Sequence, residues 1–301
     1  MARSGPERVV QANNKETAGS TGKVGLLAGS GIFPICFARG ARRHGHEVVA
    51  IGLKGETSPA LEEHVVEVHW TGLARLGEWI SIFKEADVTR AVMCGGVTKA
   101  KIYENPMRLF PDFRSIRFLY SRRGEWEDHV LLAQLAEEFE KEGITIESSV
   151  MFCPELLARE GTLTRREPTE REWDDIRFAW PRIKRIAAMQ IGQTIVVKDG
   201  AVVAVEGMDG TDATLRRAGE IAGSGTVAVK LAKEGHDPRF DIPCVGPATV
   251  DVLEDAEVGV LAIEADQTLV LEREEVVARA DAAGLAMVAV SADDMPDEVG
   301  R

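Results

Sequence analysis

Residues 23–29 read KVGLLAG, a short apolar run closed by glycine. The run is too short for a typical helix. It also lacks the alternation of a strand with one wet face, so it reads as a strand buried on both faces. Similar runs recur at HEVVAIGL (46–53) and TRAVMCGGV (89–97), and VVEVHW (65–70) fits a further strand. Helical spacing fills the gaps. A helix is expected from the glycine turn to about His44, and residues 72–86 place Leu73, Leu76, Ile80 and Phe83 on one face. Residues 127–143 form a second amphipathic stretch, ended by Gly143 and followed by the strand-like ITIESSV. Strands alternating with helices specify an α/β fold, a parallel sheet clothed by helices on both faces.

The pattern lapses at CPELLAREGTLTRREPT (153–169), which reads as an interdomain connection. A helix is expected from about Glu170 to Ala188. Residues 194–207, TIVVKDGAVVAVEG, are two β-branched runs joined by Asp199-Gly200, the signature of a type I′ hairpin. The strand TVAVKLA (226–232) and the runs ATVDVLEDA, VGVLAIEA, TLVLEREEVVARADAAG and LAMVAV complete a mixed α/β unit. The chain therefore divides into a disordered tail (1–22), a parallel α/β domain (23–152), a linker (153–169), a C-terminal α/β domain (170–291) and an acidic tail (292–301). A chain of 301 residues suits two such domains.

Charge narrows the partners. The net charge of −13 disfavours nucleic acid, although a local basic patch could still hold a small anion. Cys36, Cys94, Cys153 and Cys244 form no CxxC pair, so reduced, buried cytosolic thiols are expected. No apolar run reaches the ~18 residues of a membrane helix, and residues 1–22 lack the apolar core of a signal peptide. GSTGK (19–23) precedes its strand and continues with Val24, which excludes a P-loop.

Candidate ligand positions gather at strand ends. Gly29-Ser30-Gly31 follows the first strand, but Pro34 stands where a dinucleotide fingerprint has its third glycine, and Glu56 comes too late to be the ribose acid. A nicotinamide-dependent oxidoreductase therefore has only GSG in its favour, and a tight strand-to-helix turn explains the same residues. Gly95, Gly96 and Thr98 end a second strand, and two glycine-rich strand ends suggest a common cleft. Lys99–Arg123 carries seven basic and two acidic residues among several aromatics, fitting either a packed amphipathic helix or a surface for acyl chains. In KEGHDPRFDIP (233–243), Pro238 and Pro243 stiffen a loop bearing Lys233, His236, Asp237, Arg239 and Asp241. EGMDGTDATLRR (206–217) crowds Glu206, Asp209 and Asp212 ahead of Arg216 and Arg217. Thr211 or Asp212 could cap a helix there, and the carboxylates with arginines could hold Mg²⁺ and phosphate.

Four segments in order, VGLLAGSGIFP, CGGVTK, IGQTIVVKDGAVVAVEGMDGTDATLRR and RFDIPCVGPATV, resemble the UDP-2,3-diacylglucosamine pyrophosphatases of lipid A biosynthesis, the type unrelated to metallophosphoesterases. The resemblance runs from about Lys23 to Val290. It implies a Rossmann-like N-terminal domain, a distinct C-terminal domain with the ligand between them, a homodimer, and Mg²⁺-dependent hydrolysis to UMP and 2,3-diacylglucosamine 1-phosphate (lipid X). Asp241 matches the family's critical aspartate, Gly29 and Gly31 its glycine turn, and Thr211 and Asp212 its GTD motif. On that basis Asp241 is expected as a metal ligand or base, with Asp212 and either Glu206 or Asp209 completing the metal's surroundings. Arg216, Lys233 and Arg239 are then expected to meet phosphate. The protein would touch the inner membrane only peripherally. KEGHDPRFDIP departs from the family's KPxQDxRFDLP, with His236 in place of glutamine, and RRGEWEDHVLL departs from its RKGDDALL. A non-catalytic relative that binds the nucleotide sugar or lipid is the second alternative.

Overall fold

A computed structural model describes residues 22–97, 111–121, 128–233, 237, 239–240 and 242–297. The first half forms a five-stranded, wholly parallel sheet in the order β3-β2-β1-β4-β5. Its strands are β1 (Lys23–Ala28), β2 (Glu47–Leu53), β3 (Glu67–Thr71), β4 (Arg90–Cys94) and β5 (Thr145–Ile146). Between them run α1 (Phe33–Arg43), a 3-10 helix (Pro59–His64), α2 (Leu76–Glu85), α3 (Phe113–Ser121) and α4 (Asp128–Glu140). Val24, Leu26 and Ala28 face α1, whereas Leu27, Val49 and Ile51 face α2 and α4. Both faces of β1 are therefore dry, as its uninterrupted apolar run requires. β5 is shorter than ITIESSV suggests, because only its first residues pair with β4 at the sheet edge.

The second half builds a six-stranded mixed sheet in the order β6-β13-β11-β9-β7-β8. The edge strand β6 (Gly161–Thr162) lies within 153–169 and pairs antiparallel with β13 (Ala286–Val290). Next come α5 (Glu170–Ala188), the hairpin β7 (Thr194–Lys198) and β8 (Ala201–Val205), α6 (Gly210–Ala222) and β9 (Thr226–Lys230). β10 (Cys244–Val245), α7 (Pro247–Asp255), β11 (Val258–Glu264), β12 (Leu269–Val270) and α8 (Arg273–Ala282) follow, before β13. β9, β11 and β13 are parallel. Asp199 and Gly200 both have positive φ (53° and 72°), the geometry of the expected type I′ turn. The buried Asp175 of α5 accepts from both turn N–H groups at 2.9 and 2.7 Å. α5 itself opens with a capping box between Thr169 and Glu172.

The halves are stitched together. Ile242, Cys244, Leu269 and Leu271, from the second half, pack into the α1 face of the first sheet. Arg39 of α1 pairs with Glu272 at 2.6 Å.

Two features of the first half generate measurable consequences. The loops after β1 and β4 cross in contact: Ser30 N–H donates to Gly96 O at 2.7 Å, and Gly29 N–H to Cys94 O at 2.8 Å. A Cβ on Gly29 would lie 2.4 Å from Gly96 O, whereas one on Gly31 (φ +85°) meets nothing within 4 Å. Gly29→Ala should therefore cost about 3 kcal/mol through backbone displacement. Gly31→Ala should cost only about 1–2 kcal/mol of left-handed strain. Urea denaturation of both variants checks the order, and the reverse order would refute the crossing. Asp112 caps two helices at once, accepting from Gly77 and Glu78 of α2 (2.7 and 3.1 Å) and from Ser115 of α3 (2.7 Å). Burial pushes its carboxyl up, but these N–H donors outweigh burial and hold it below its ordinary value. Asp112→Ala should cost about 2 kcal/mol at neutral pH. A lowered folded-state value stabilises above the unfolded one, near pH ~3.9, and that stabilisation is lost as pH falls through the folded value. Titrated denaturation should thus show the gap between variant and parent closing in acid, and a constant gap would contradict the capping role.

Candidate functional site

The carboxyl ends of the parallel strands converge on two polar clusters. The first is the crossed pair of loops holding Gly29, Ser30, Gly31, Gly95 and Gly96. Gly29 and Gly95 approach each other's loop more closely than side chains allow. Ser30 Oγ donates to Gly96 O at 2.9 Å, and Thr57 Oγ1 reaches Ala28 O, tying in the end of β2. The expected common cleft of two glycine-rich strand ends thus corresponds to loops in direct contact. Thr98, expected beside them, lies outside the described residues.

The second cluster sits where β9 ends and α6 begins. Lys230, the last residue of β9, is only 7% exposed, as is Glu206. Lys230 Nζ donates to Thr211 Oγ1 at 3.2 Å, and Thr211 Oγ1 donates to Glu206 Oε1 at 2.9 Å. The other Glu206 oxygen accepts from Gln193 N–H at 3.2 Å, and Thr194 Oγ1 lies 3.4 Å from Thr211 Oγ1. Thr211 is the hinge of this network, with a donor on one side and an acceptor on the other.

α6 begins one residue before Thr211, so neither Thr211 nor Asp212 is its cap. Asp209 holds that position but makes no side-chain cap bond. Its carboxylate instead takes Gly207 N–H and the Arg217 guanidinium. Arg217 is the main reason the Asp209 carboxyl sits below its ordinary value. Asp212 and Arg216 are exposed on α6.

One segment joins the second cluster to the first sheet. It leaves β9 through Lys233 and crosses to the first sheet, where Phe240 packs on the core beneath α2 and α4. Arg239 grips Asp237 with two nitrogens (2.9 and 2.7 Å) and Glu140 at 3.2 Å, and stacks on Phe240 at 4.9 Å. Burial pushes the Asp237 carboxyl up, but Arg239 outweighs it and holds the group low. Arg239 therefore fastens the loop near the end of β5. Asp241 and His236 of the same loop lie outside the described residues.

Among the described residues no three His, Cys, Asp or Glu side chains form a metal-holding group. Both oxygens of Glu206 already accept hydrogen bonds, and its next neighbour through Thr211 is an ammonium, a poor setting for a second cation. Asp212 offers an exposed carboxylate, which suits an Mg²⁺ shared between one or two protein carboxylates, waters and substrate phosphate. Thiolate chemistry has no support: burial pushes Cys153 up to about 12 and Cys36 up to about 11. Of the basic-aromatic segment, residues 99–110 and 122–123 lie outside the described residues. In α3, Phe113 is exposed and Arg114 is bound to Glu138 and Glu142.

Lys230, Thr194 and Gln193 carry no site signature of their own in the sequence. The available signal was a lysine closing the otherwise apolar TVAVK, at the strand end where ligands collect.

This arrangement has a counterpart in known proteins. A family model described as the LpxI N-terminal domain matches residues 23–156, and one described as the LpxI C-terminal domain matches 159–288. The UDP-2,3-diacylglucosamine pyrophosphatase LpxI of Caulobacter vibrioides is 32% identical over 289 residues, covering 91% of this chain and 99% of that protein. Two solved structures also align. They are the biotin carboxylase domain of Hydrogenobacter thermophilus 2-oxoglutarate carboxylase (14% identity) and the biotin carboxylase subunit of a pyruvate carboxylase (13%). Each covers 66% of this chain and 41% of its own, with a TM-score of 0.27, a likeness too slight to bear on fold or function. Adjoining matches across both sheets, together with a relative aligned nearly end to end, show that the chain belongs to the LpxI family.

Proposed function

We propose that this protein hydrolyses the pyrophosphate of UDP-2,3-diacylglucosamine to UMP and 2,3-diacylglucosamine 1-phosphate, a step of lipid A biosynthesis. The observation that carries the reading is the 32% identity to a pyrophosphatase of that name over 99% of its length. In the reaction a water oxygen bonds to one phosphorus. The bridging P–O bond breaks, and the bridging oxygen leaves with its electron pair on the other phosphate. Charge on the departing phosphate must be offset, and basic groups and backbone N–H donors at strand ends suit that task.

In this reading Gly29, Gly31, Gly95 and Gly96 let the ligand approach the backbone at the first cluster. Thr98, Lys233 and Arg216 contribute polar contacts around the phosphates. Arg239 orders the loop that carries Asp241. Asp241 and Asp212 would hold Mg²⁺, which would supply positive charge against the phosphate oxygens and make water more acidic. Glu206 orients Thr211. The acyl chains call for peripheral contact of a cytoplasmic homodimer with the inner membrane. Among the described residues no helix is long and apolar enough to cross a membrane.

Purified protein incubated with UDP-2,3-diacylglucosamine should release UMP with Mg²⁺ and not with EDTA. Asp241→Ala should lower the rate by about 100-fold or more, the scale of losing a principal electrostatic group. Binding without UMP release would instead identify a non-catalytic relative. Undiminished turnover in Asp241→Ala would remove the assigned role.

A further inference from the structure

We propose that Lys230 and the first turn of α6 bind a phosphate group of the substrate, an inference that rests on the hydrolase reading and names a contact within it. Lysine is seldom buried without a partner of opposite charge. Lys230 is 7% exposed, yet among the described residues its ammonium meets one acceptor, the neutral hydroxyl of Thr211. An ammonium has three N–H donors, so two are left for a ligand. Glu206 does not fill the gap, because it accepts a hydrogen bond from Thr211 and stands one group removed from the lysine.

The helix end supplies independent support. α6 is thirteen residues long, and its cap position contributes no side-chain acceptor. Asp209, the residue placed to provide one, is held by Arg217 and Gly207 instead. Gly210 N–H donates to Gly207 O at 3.2 Å, but among the described residues the N–H groups of Thr211, Asp212 and Ala213 have no acceptor, and at the positive end of a helix dipole they favour an anion. Lys230 reaches that same turn through Thr211, so two sources of positive potential coincide. A tetrahedral phosphate has enough oxygens to accept from both. In this role Lys230 is a binding residue. Thr211 and Glu206 are positioning residues: the proton given to Glu206 keeps the Thr211 lone pairs turned to the amine.

The test uses the full-length protein and two probes, inorganic pyrophosphate and UMP, titrated calorimetrically without divalent metal at low and high salt. The parent should bind both, more weakly in salt. Lys230→Met, close in shape and relieved of a buried charge, should bind each at least tenfold more weakly with a shallower salt dependence. In turnover it should raise KM more than it lowers kcat. Thr211→Val, which keeps the side chain's volume but breaks the relay, should weaken binding at least threefold and serves should Lys230→Met fail to fold. Unchanged affinity in a folded Lys230→Met, or no binding of either probe by the parent, would overturn the phosphate site. UMP release from the lipid substrate by such a protein would leave the hydrolase reading standing. Conversely, probe binding that depends on Lys230 in a protein releasing no UMP would support the site and remove the hydrolase.

Discussion

Helices cover both faces of both sheets, and most of this structure follows from that constraint. A strand buried on two sides has no room for a polar side chain along its length, so polar chemistry is displaced to the strand ends. β1 and β4 run apolar until they reach Gly29 and Gly95. β9 runs Thr226, Val227, Ala228 and Val229, all buried, before Lys230. In parallel strands the free carboxyl ends all lie at one edge, so functional groups from distant parts of the sequence are collected there without special provision. The 231–243 segment then carries the chain from the edge of the second sheet to that of the first.

The two clusters solve different physical problems. At the crossed loops the difficulty is steric, because two backbones come closer than a Cβ permits, and glycine removes the obstacle. At β9 the difficulty is electrostatic. Burying an ammonium and a carboxylate is costly unless their hydrogen-bonding capacity is used. Thr211 connects them through one hydroxyl, which fixes both in place but leaves part of the lysine unmatched. A site that is fully matched before its ligand arrives has little to offer an anion. The incomplete pairing of Lys230 is therefore the feature that separates this network from an ordinary structural one such as Arg239 with Asp237.

Much of the fold was legible from local pattern. KVGLLAG fits only a two-face-buried strand, Asp199-Gly200 marks its hairpin, and α5 covers the interval expected of it. The missing parts are those decided by partners distant in sequence. β5, β10 and β12 are two residues long, too short for any periodicity to register. β6 exists because β13 offers it an edge. Asp112 reads as one acid in a basic stretch, and only the approach of α2 to α3 makes it a double cap. The motif 206–217 was recognisable as dense in function, yet its carboxylates look alike in sequence. In the fold they differ: Asp209 is held by Arg217, Glu206 by Thr211 and Gln193, and Asp212 is exposed.

In the proposed reading one ligand engages the strand-end clusters of both sheets together. Hydrogen exchange at amide resolution, with and without UDP-2,3-diacylglucosamine in metal-free buffer, tests this most directly. Slowed exchange is expected at Ser30, Gly31, Gly95 and Gly96 and at Thr211 and Asp212, saturating at the same ligand concentration. Protection confined to one cluster, or the two sets saturating at different concentrations, would contradict it.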